Sequence, residues 1–293
     1  MPRWRIWLLA ARPQTLPAAV VPVVVGSAAA YASGAWRPGA AFAALISALL
    51  VQIGTNMAND LFDFERGADT QERTGPLRVT QAGLLTPAQM RRGTLATFAA
   101  AFAVGLYLVY LGGWPILAIG LAAILCGVAY TGGPFPLAYH GLGDLFAFVF
   151  FGPVAVAGTY YVHTGRLAPA AFWAALPVAC LVTAILVVNN YRDLETDKKA
   201  NKRTLAVRLG PRATRAEYAL LLGGAYAVPF YLWLASGAAW GWLPLLSAPF
   251  AVRLWRRLRS ERGAALNPVL KGTGQLLLLH GLLLALGLIL SDP

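Results

Sequence analysis

Two short segments hold most of the acid in this chain. Asp60, Asp63, Glu65, Asp69 and Glu72 fall between positions 60 and 72, and Asp193, Glu195 and Asp197 between 193 and 197, so eight of the 12 acidic residues occupy two places. Their spacing repeats: Asn59-x-x-x-Asp63 is followed by Asp69, and Asn189-x-x-x-Asp193 by Asp197. On a continuing helix, residues four apart project from one face, so each segment presents a column of oxygen ligands. Carboxylates brought together repel, and withdrawing them from water is costly unless a cation compensates. Oxygen donors suit a hard ion, and Mg²⁺ commonly binds through a few carboxylates together with substrate phosphates. Two acidic columns across a gap therefore form a candidate clamp for a metal and a diphosphate. Basic side chains stand beside both: Arg73 and Arg78 after the first, and Arg192, Lys198, Lys199, Lys202 and Arg203 around the second. Guanidinium forks match phosphate oxygens and can stabilise charge on a departing diphosphate. Because these acids are expected at a wet helix end, neutralising one should relieve repulsion and leave folding intact.

The elements that must carry these columns are membrane helices. The chain is 58% hydrophobic and 12% charged, whereas soluble domains carry about 25% charged residues. Its apolar residues fall in blocks long enough to cross a bilayer, near 15–34, 39–62, 88–111, 114–131, 143–163, 168–191, 214–235, 238–254 and 273–290. The expected fold class is thus all-α: a polytopic membrane protein of about nine transmembrane helices, forming a single domain over 1–293. A short interfacial helix is expected at 3–11, where two arginines alternate with two tryptophans. The matching motifs at 59–69 and 189–197, after the second and sixth spans, suggest duplication of a four-helix unit.

Nine spans put the N-terminus and the connections after spans two, four, six and eight on one side. Twenty-two of the 24 lysines and arginines fall there, and only Arg37 and Arg166 fall opposite. The positive-inside rule makes that side cytoplasmic, and the chain a multi-pass protein of the cell membrane with its motif loops inside. The formal charge of +12 is then topological, and no nucleic-acid partner is expected. Cys126 and Cys180 lie far apart in apolar blocks and indicate neither disulfide nor zinc site. His140, His163 and His280 share no ligand spacing and are given no role. No cleavable signal is expected, since Arg12 and Pro13 interrupt the first apolar stretch before a full-length span follows.

At these residues the chain resembles the UbiA superfamily of intramembrane prenyltransferases, and within it the members that use 1,4-dihydroxy-2-naphthoate in menaquinone biosynthesis. The likeness lies in RPQTLPAAVVPVVVG at 12–26, NDLFDFERGADTQERTGPLRVTQAGLLTP at 59–87, YTGGPFPLAYHGLGDLFAFVFFGPVAVAGTYY at 130–161 and NNYRDLETDKKANKRTLAVRLG at 189–210. Beyond 210 only the hydrophobic pattern matches. Ubiquinone-type members look like NDxxDxxxD, which would need an acid at Gly67; here the third acid is Asp69, a spacing similar to that of the naphthoate enzymes.

The resemblance implies helices around a central cavity with both motifs at its cytoplasmic mouth. It implies that Asn59, Asp63, Asp69, Asn189, Asp193 and Asp197 hold Mg²⁺ and diphosphate, the four aspartates of these being catalytic, with Asp60 and Asn190 alongside. Arg73, Arg78, Arg192 and Lys198 are the implied diphosphate contacts, and Tyr130 and Asp144 the implied positioners of the aromatic substrate. The implied reaction joins a polyprenyl group from its diphosphate to the naphthoate ring, releasing diphosphate and CO₂ and giving demethylmenaquinol. Phe148, Phe150, Phe151, Tyr160 and Tyr161 are candidates to line an apolar groove for the prenyl chain, open to membrane lipid. Two other readings are prenylation of 4-hydroxybenzoate or homogentisate, and transport. Charges at helix ends on one side, away from the midplane, disfavour transport. The DGxxARxxxxxSxxGxxxDxxxD pattern of CDP-alcohol phosphotransferases is absent.

Overall fold

The computed structural model describes residues 1–68, 75–236 and 241–290. Among these the regular elements are all helical: α1 (Arg3–Ala11), α2 (Pro17–Ala32), α3 (Pro38–Glu65), α4 (Pro87–Gly112), α5 (Trp114–Ala129), α6 (Gly143–Val149), α7 (Ala155–Thr164), α8 (Pro169–Arg192), α9 (Leu194–Lys199), α10 (Leu205–Ser236), α11 (Ala248–Ser260) and α12 (Asn267–Leu290). Proline at the first turn of α3, α4 and α8 marks their starts, where a missing N–H costs nothing. A π-helical turn over Phe150–Val154 joins α6 to α7, so 143–164 acts as one span. Gly210, at φ 78°, breaks α10 just before Pro211.

The helix count differs in detail from the expected nine spans. Six helices among the described residues are long and apolar enough to cross a membrane, seven if the α1 and α2 segments, bent by 54°, form one span. The other two expected crossings are short: α5 has 16 residues, and the eighth is a 3₁₀ turn over Leu243–Ser247 followed by the 13-residue α11. α11 nevertheless runs antiparallel to α10, because Arg215 meets the carbonyl of Arg259 while Tyr226 bonds Ser247.

Burial is that of a bundle in lipid. α8 is apolar all round and 72% of its most apolar stretch is buried, against 22% for α4 and α10, so α8 is the central helix. The outer faces carry exposed Leu95, Phe102, Leu106, Tyr110, Leu220 and Leu234; an apolar surface of this extent belongs in contact with membrane. The chain is a multi-pass membrane protein.

Without a hydrophobic drive between helices in lipid, close packing at small residues holds them together. At the α2–α7 crossing, a Cβ on Gly26 would lie 2.5 Å from the carbonyl oxygen of Val156. Backbone cannot rotate away, and overpacking of this kind costs about 1–3 kcal/mol. Gly26→Ala should therefore lower the melting temperature in detergent by several degrees; an unchanged melting curve would mean that the crossing is not tightly packed.

The bend between α1 and α2 is held from α3. Asn56 donates to the carbonyl of Ala11 (2.9 Å) and to Thr15 Oγ1 (2.9 Å), satisfying backbone that the break leaves open. Arg12 in that bend approaches Asp60 (4.0 Å). The α5–α6 connection reaches α3 through Thr131 and Tyr139, and the start of α12 reaches the end of α8 through Asn267. The first bend and the connections after the second, fourth, sixth and eighth expected spans thus gather at one end of the bundle.

Candidate active site

At that end the two acidic columns face each other. Asn59 and Asp63 sit on the last turns of α3. The second column continues through a slight break: Asp193 has φ −92° and ψ 9° between α8 and α9, yet its N–H still donates to the Asn189 carbonyl (3.1 Å), and the Asp197 N–H donates to the Asp193 carbonyl (2.8 Å). Asn189, Asp193 and Asp197 therefore keep the four-residue register expected of them. Asp69 and Arg73 lie outside the described residues.

Asp63 is buried and accepts from two elements. Arg78 Nη2 lies 3.1 Å from its Oδ2, and the Tyr139 hydroxyl donates to its Oδ1 (3.1 Å). The Lys202 ammonium stands between the motifs, 3.7 Å from Asp63 Oδ2 and 3.9 Å from Asp197 Oδ1. One cation thus spans both columns, which defines the gap between them as a place for positive charge. Tyr139 carries the guanidinium of Arg66 at 5.4 Å and the ammonium of Lys202 at 5.5 Å over its ring. Arg66 is fixed in turn by the carbonyls of Thr131 (3.0 Å) and Gly133. Burial first, and then the charge of Asp63, push the Tyr139 phenol well above its ordinary pKa, so it remains a hydrogen-bond donor.

The second motif is locked by arginine. Arg192 is buried; its Nε donates to Asp193 Oδ1 (2.8 Å) and its Nη2 to the other Asp193 oxygen, while Asn189 (2.9 Å) and Asn267 (3.1 Å) take the remaining bonds. Its guanidinium holds the column's shape. Asp60 does the same for the first motif, its two oxygens accepting the backbone N–H groups of Val79 and Thr80 (both 3.0 Å), which pins the loop that delivers Arg78. Asn190 is buried and, one residue on, turned by about 100° from Asn189. Lys198 is exposed on α9.

These surroundings correct one expectation. Asp63 and Asp193 are each at most 6% exposed and already face cations, so they do not sit as repelling acids at a wet surface. Removing one charge takes a carboxylate away from a buried arginine, which destabilises.

An apolar cavity of about 260 Å³ runs from the motif end into the bundle between α2, α3, α4, α5 and the 143–164 span. Phe150 and Phe151 line it, as does Phe146, whereas Tyr160 is packed in the core and Phe148 and Tyr161 lie against core clusters. Tyr130 lines the cavity and lies within electrostatic reach of Asp144, Asp63 and Asp197. A Cβ on Gly143 would stand 3.0 Å from the Tyr130 hydroxyl, so glycine there lets the ring lie against the start of α6. Next to it, both carboxylate oxygens of Asp144 are buried without a hydrogen-bond partner. A buried acceptor of that kind is costly unless a donor arrives.

The donors around the gap, carboxylate and amide oxygens without sulfur or imidazole, fit a hard divalent ion. Among the described residues no three acids, histidines or cysteines form a complete cage, and Mg²⁺ usually completes its shell with water and phosphate.

Fold and site together define an all-helical membrane protein in which two facing acidic columns, bridged by a lysine, stand beside an apolar cavity. The UbiA prenyltransferase family model matches residues 19–290, and the chain belongs to that family. It is 38% identical over 298 residues to the 1,4-dihydroxy-2-naphthoate octaprenyltransferase of Escherichia coli (strain K12), covering 99% of this chain and 97% of that one. It is 41% identical over 283 residues to the enzyme of the same name from Mycobacterium tuberculosis, covering 95% of each. Its fold matches that of a UbiA homolog from Archaeoglobus fulgidus bound to GPP and Mg²⁺, with a TM-score of 0.67, 18% identity, and 97% and 99% of the two chains covered.

Proposed function

We propose that this chain transfers a polyprenyl group from its diphosphate to 1,4-dihydroxy-2-naphthoate, releasing diphosphate and CO₂ and giving demethylmenaquinol. The observation that carries the reading is Lys202 standing between Asp63 and Asp197 beside an apolar cavity. Near-full-length likeness to two naphthoate octaprenyltransferases supports the choice of acceptor. The whole chain acts as one transferase domain whose repeated motif supplies the two sides of the clamp.

Mg²⁺, when bound, neutralises diphosphate charge and eases its departure. Asn59, Asp63, Asn189, Asp193 and Asp197 are the described residues that would hold it, with Asp69 as a further ligand. Arg78 and Lys202, beside Asp63, would contact diphosphate oxygens, with Arg73 and Lys198 on the adjoining segments. Asp60, Asn190 and Arg192 act as supports. As the allylic C–O bond loosens, the electron-rich ring attacks the forming carbocation, and the carboxylate carbon leaves as CO₂. Asp144 accepts a ring hydroxyl proton in a hydrogen bond, and Tyr130 orients the ring. Phe146, Phe150 and Phe151 flank the prenyl chain. Supplying equal concentrations of 1,4-dihydroxy-2-naphthoate, 4-hydroxybenzoate and homogentisate with one polyprenyl diphosphate should consume the naphthoate first. Preferential consumption of either other acid would reassign the acceptor.

The motif end faces the cytoplasm in this proposal, on the strength of the 22-to-2 division of basic residues. A reporter inserted near Ala200 should be cytoplasmic and one fused after Pro293 should lie outside. Both on one side would mean that 238–254 does not cross.

A further inference from the structure

The packing of α10 against α11 carries a second feature. Between α10 and α11 an open groove is lined by Arg212, Arg215, Trp255 and Arg259, with Ala219 and Leu220 continuing it along α10. None of its lining residues is acidic. Arg215 is positioned by backbone, its Nε donating to the carbonyl of Pro211 (3.1 Å) and its Nη1 to that of Arg259 (3.4 Å). Arg259 rests over the Trp255 ring at 5.8 Å, and Trp255 stacks on Tyr218 at 6.4 Å. None of the three arginines forms an ion pair among the described residues. The acids nearest in sequence are placed elsewhere. Arg257 binds Glu261 (2.8 and 3.3 Å), and Glu217 lies about 200° round the helix from Arg215, off the face that lines the groove.

Three like charges gathered in one groove repel unless an anion joins them. Positive-inside topology explains arginines at this end of the bundle, but not their convergence on a tryptophan at the head of an apolar strip. Residues 212, 216 and 220, with 215 and 219, form one face of α10, charged at the motif end and apolar beyond it. Leu220 is 76% exposed there. Cation above and hydrocarbon below is the complement of an amphiphile with an anionic head, and basic pockets between spans at the cytoplasmic side suit acidic lipids.

We propose that this groove binds an anionic phospholipid, its phosphate on Arg212, Arg215 and Arg259 and an acyl chain along Ala219 and Leu220. Native mass spectrometry of the full chain in detergent, titrated with phosphatidylglycerol or phosphatidylcholine, tests it. The wild type should retain phosphatidylglycerol over phosphatidylcholine. Arg215→Gln with Arg259→Gln should lower retention about tenfold. Arg253→Gln with Arg256→Gln removes the same charge from exposed positions of α11 outside the groove and should leave retention unchanged. Leu220→Asp should also expel the lipid with all arginines present, which keeps the test open if the arginine variant fails to fold. Equal retention by the two double variants, retention by Leu220→Asp, or displacement of the lipid by inorganic phosphate alone would overturn the proposal.

Discussion

Asp63→Asn and Asp193→Asn should each lower turnover at least about a hundredfold, because losing roughly 3 kcal/mol of transition-state stabilisation has that effect. Each change keeps the side chain's size and removes one charge from a column that faces the gap occupied by Lys202. A modest fall in melting temperature should accompany the loss. Asp63→Asn takes away the carboxylate that Arg78 and Lys202 both face, and Asp193→Asn the carboxylate that Arg192 binds. Turnover must therefore be expressed per folded molecule. Glu65→Gln is the control: it lies in the same acidic segment but pairs with Arg91 at the exposed surface (2.6 Å), where ion pairs contribute little. It should be nearly silent in both measurements. Wild-type turnover in either aspartate variant, or an equal loss in the Glu65 control, would return these acids to a purely structural role.

Chelation should have an effect as large. Activity is expected to vanish in excess chelator and to return with Mg²⁺ more fully than with Ca²⁺, since the smaller ion demands tight octahedral geometry and commonly bridges phosphates. Four cationic side chains, Arg66, Arg78, Arg192 and Lys202, already stand at the motifs. They can attract a diphosphate, but a divalent ion would bind carboxylate and phosphate oxygens at one centre, which a monovalent side chain does not. Full turnover in chelator would remove the metal from the account and leave the arginines and lysine as the whole clamp.

Much of the site was legible because helix periodicity is visible in sequence. Asn59 with Asp63, and Asn189 with Asp193 and Asp197, are four apart, and the structure keeps that register even through the break at Asp193. The helical class followed from composition, and the shared end from the distribution of arginine. What depends on tertiary contact was not legible. Tyr139 belongs to a connection between α5 and α6, and nothing in its neighbours shows that it bonds Asp63, 76 positions away. The available signal was that this Gly- and Pro-rich connection falls on the same side as both motifs. Lys202 was visible as one of several basic residues after the second motif, but not as the one spanning the gap. Asp60 reads as part of the diphosphate site from its place beside Asn59, whereas its oxygens accept the N–H groups of Val79 and Thr80. The expected eighth span departs from its reading for another reason: 238–254 is apolar enough to suggest a span, but the helix starts at Ala248 and runs on into arginines at 256, 257 and 259.

Decarboxylating prenyl transfer at the aspartate gap is most directly visible in the mass of the product. Purified protein in detergent with Mg²⁺, a polyprenyl diphosphate and 1,4-dihydroxy-2-naphthoate should yield a compound whose mass equals that of the two substrates less diphosphate and CO₂. A prenylated product that retains the carboxylate, or product formed only from 4-hydroxybenzoate or homogentisate, would contradict it.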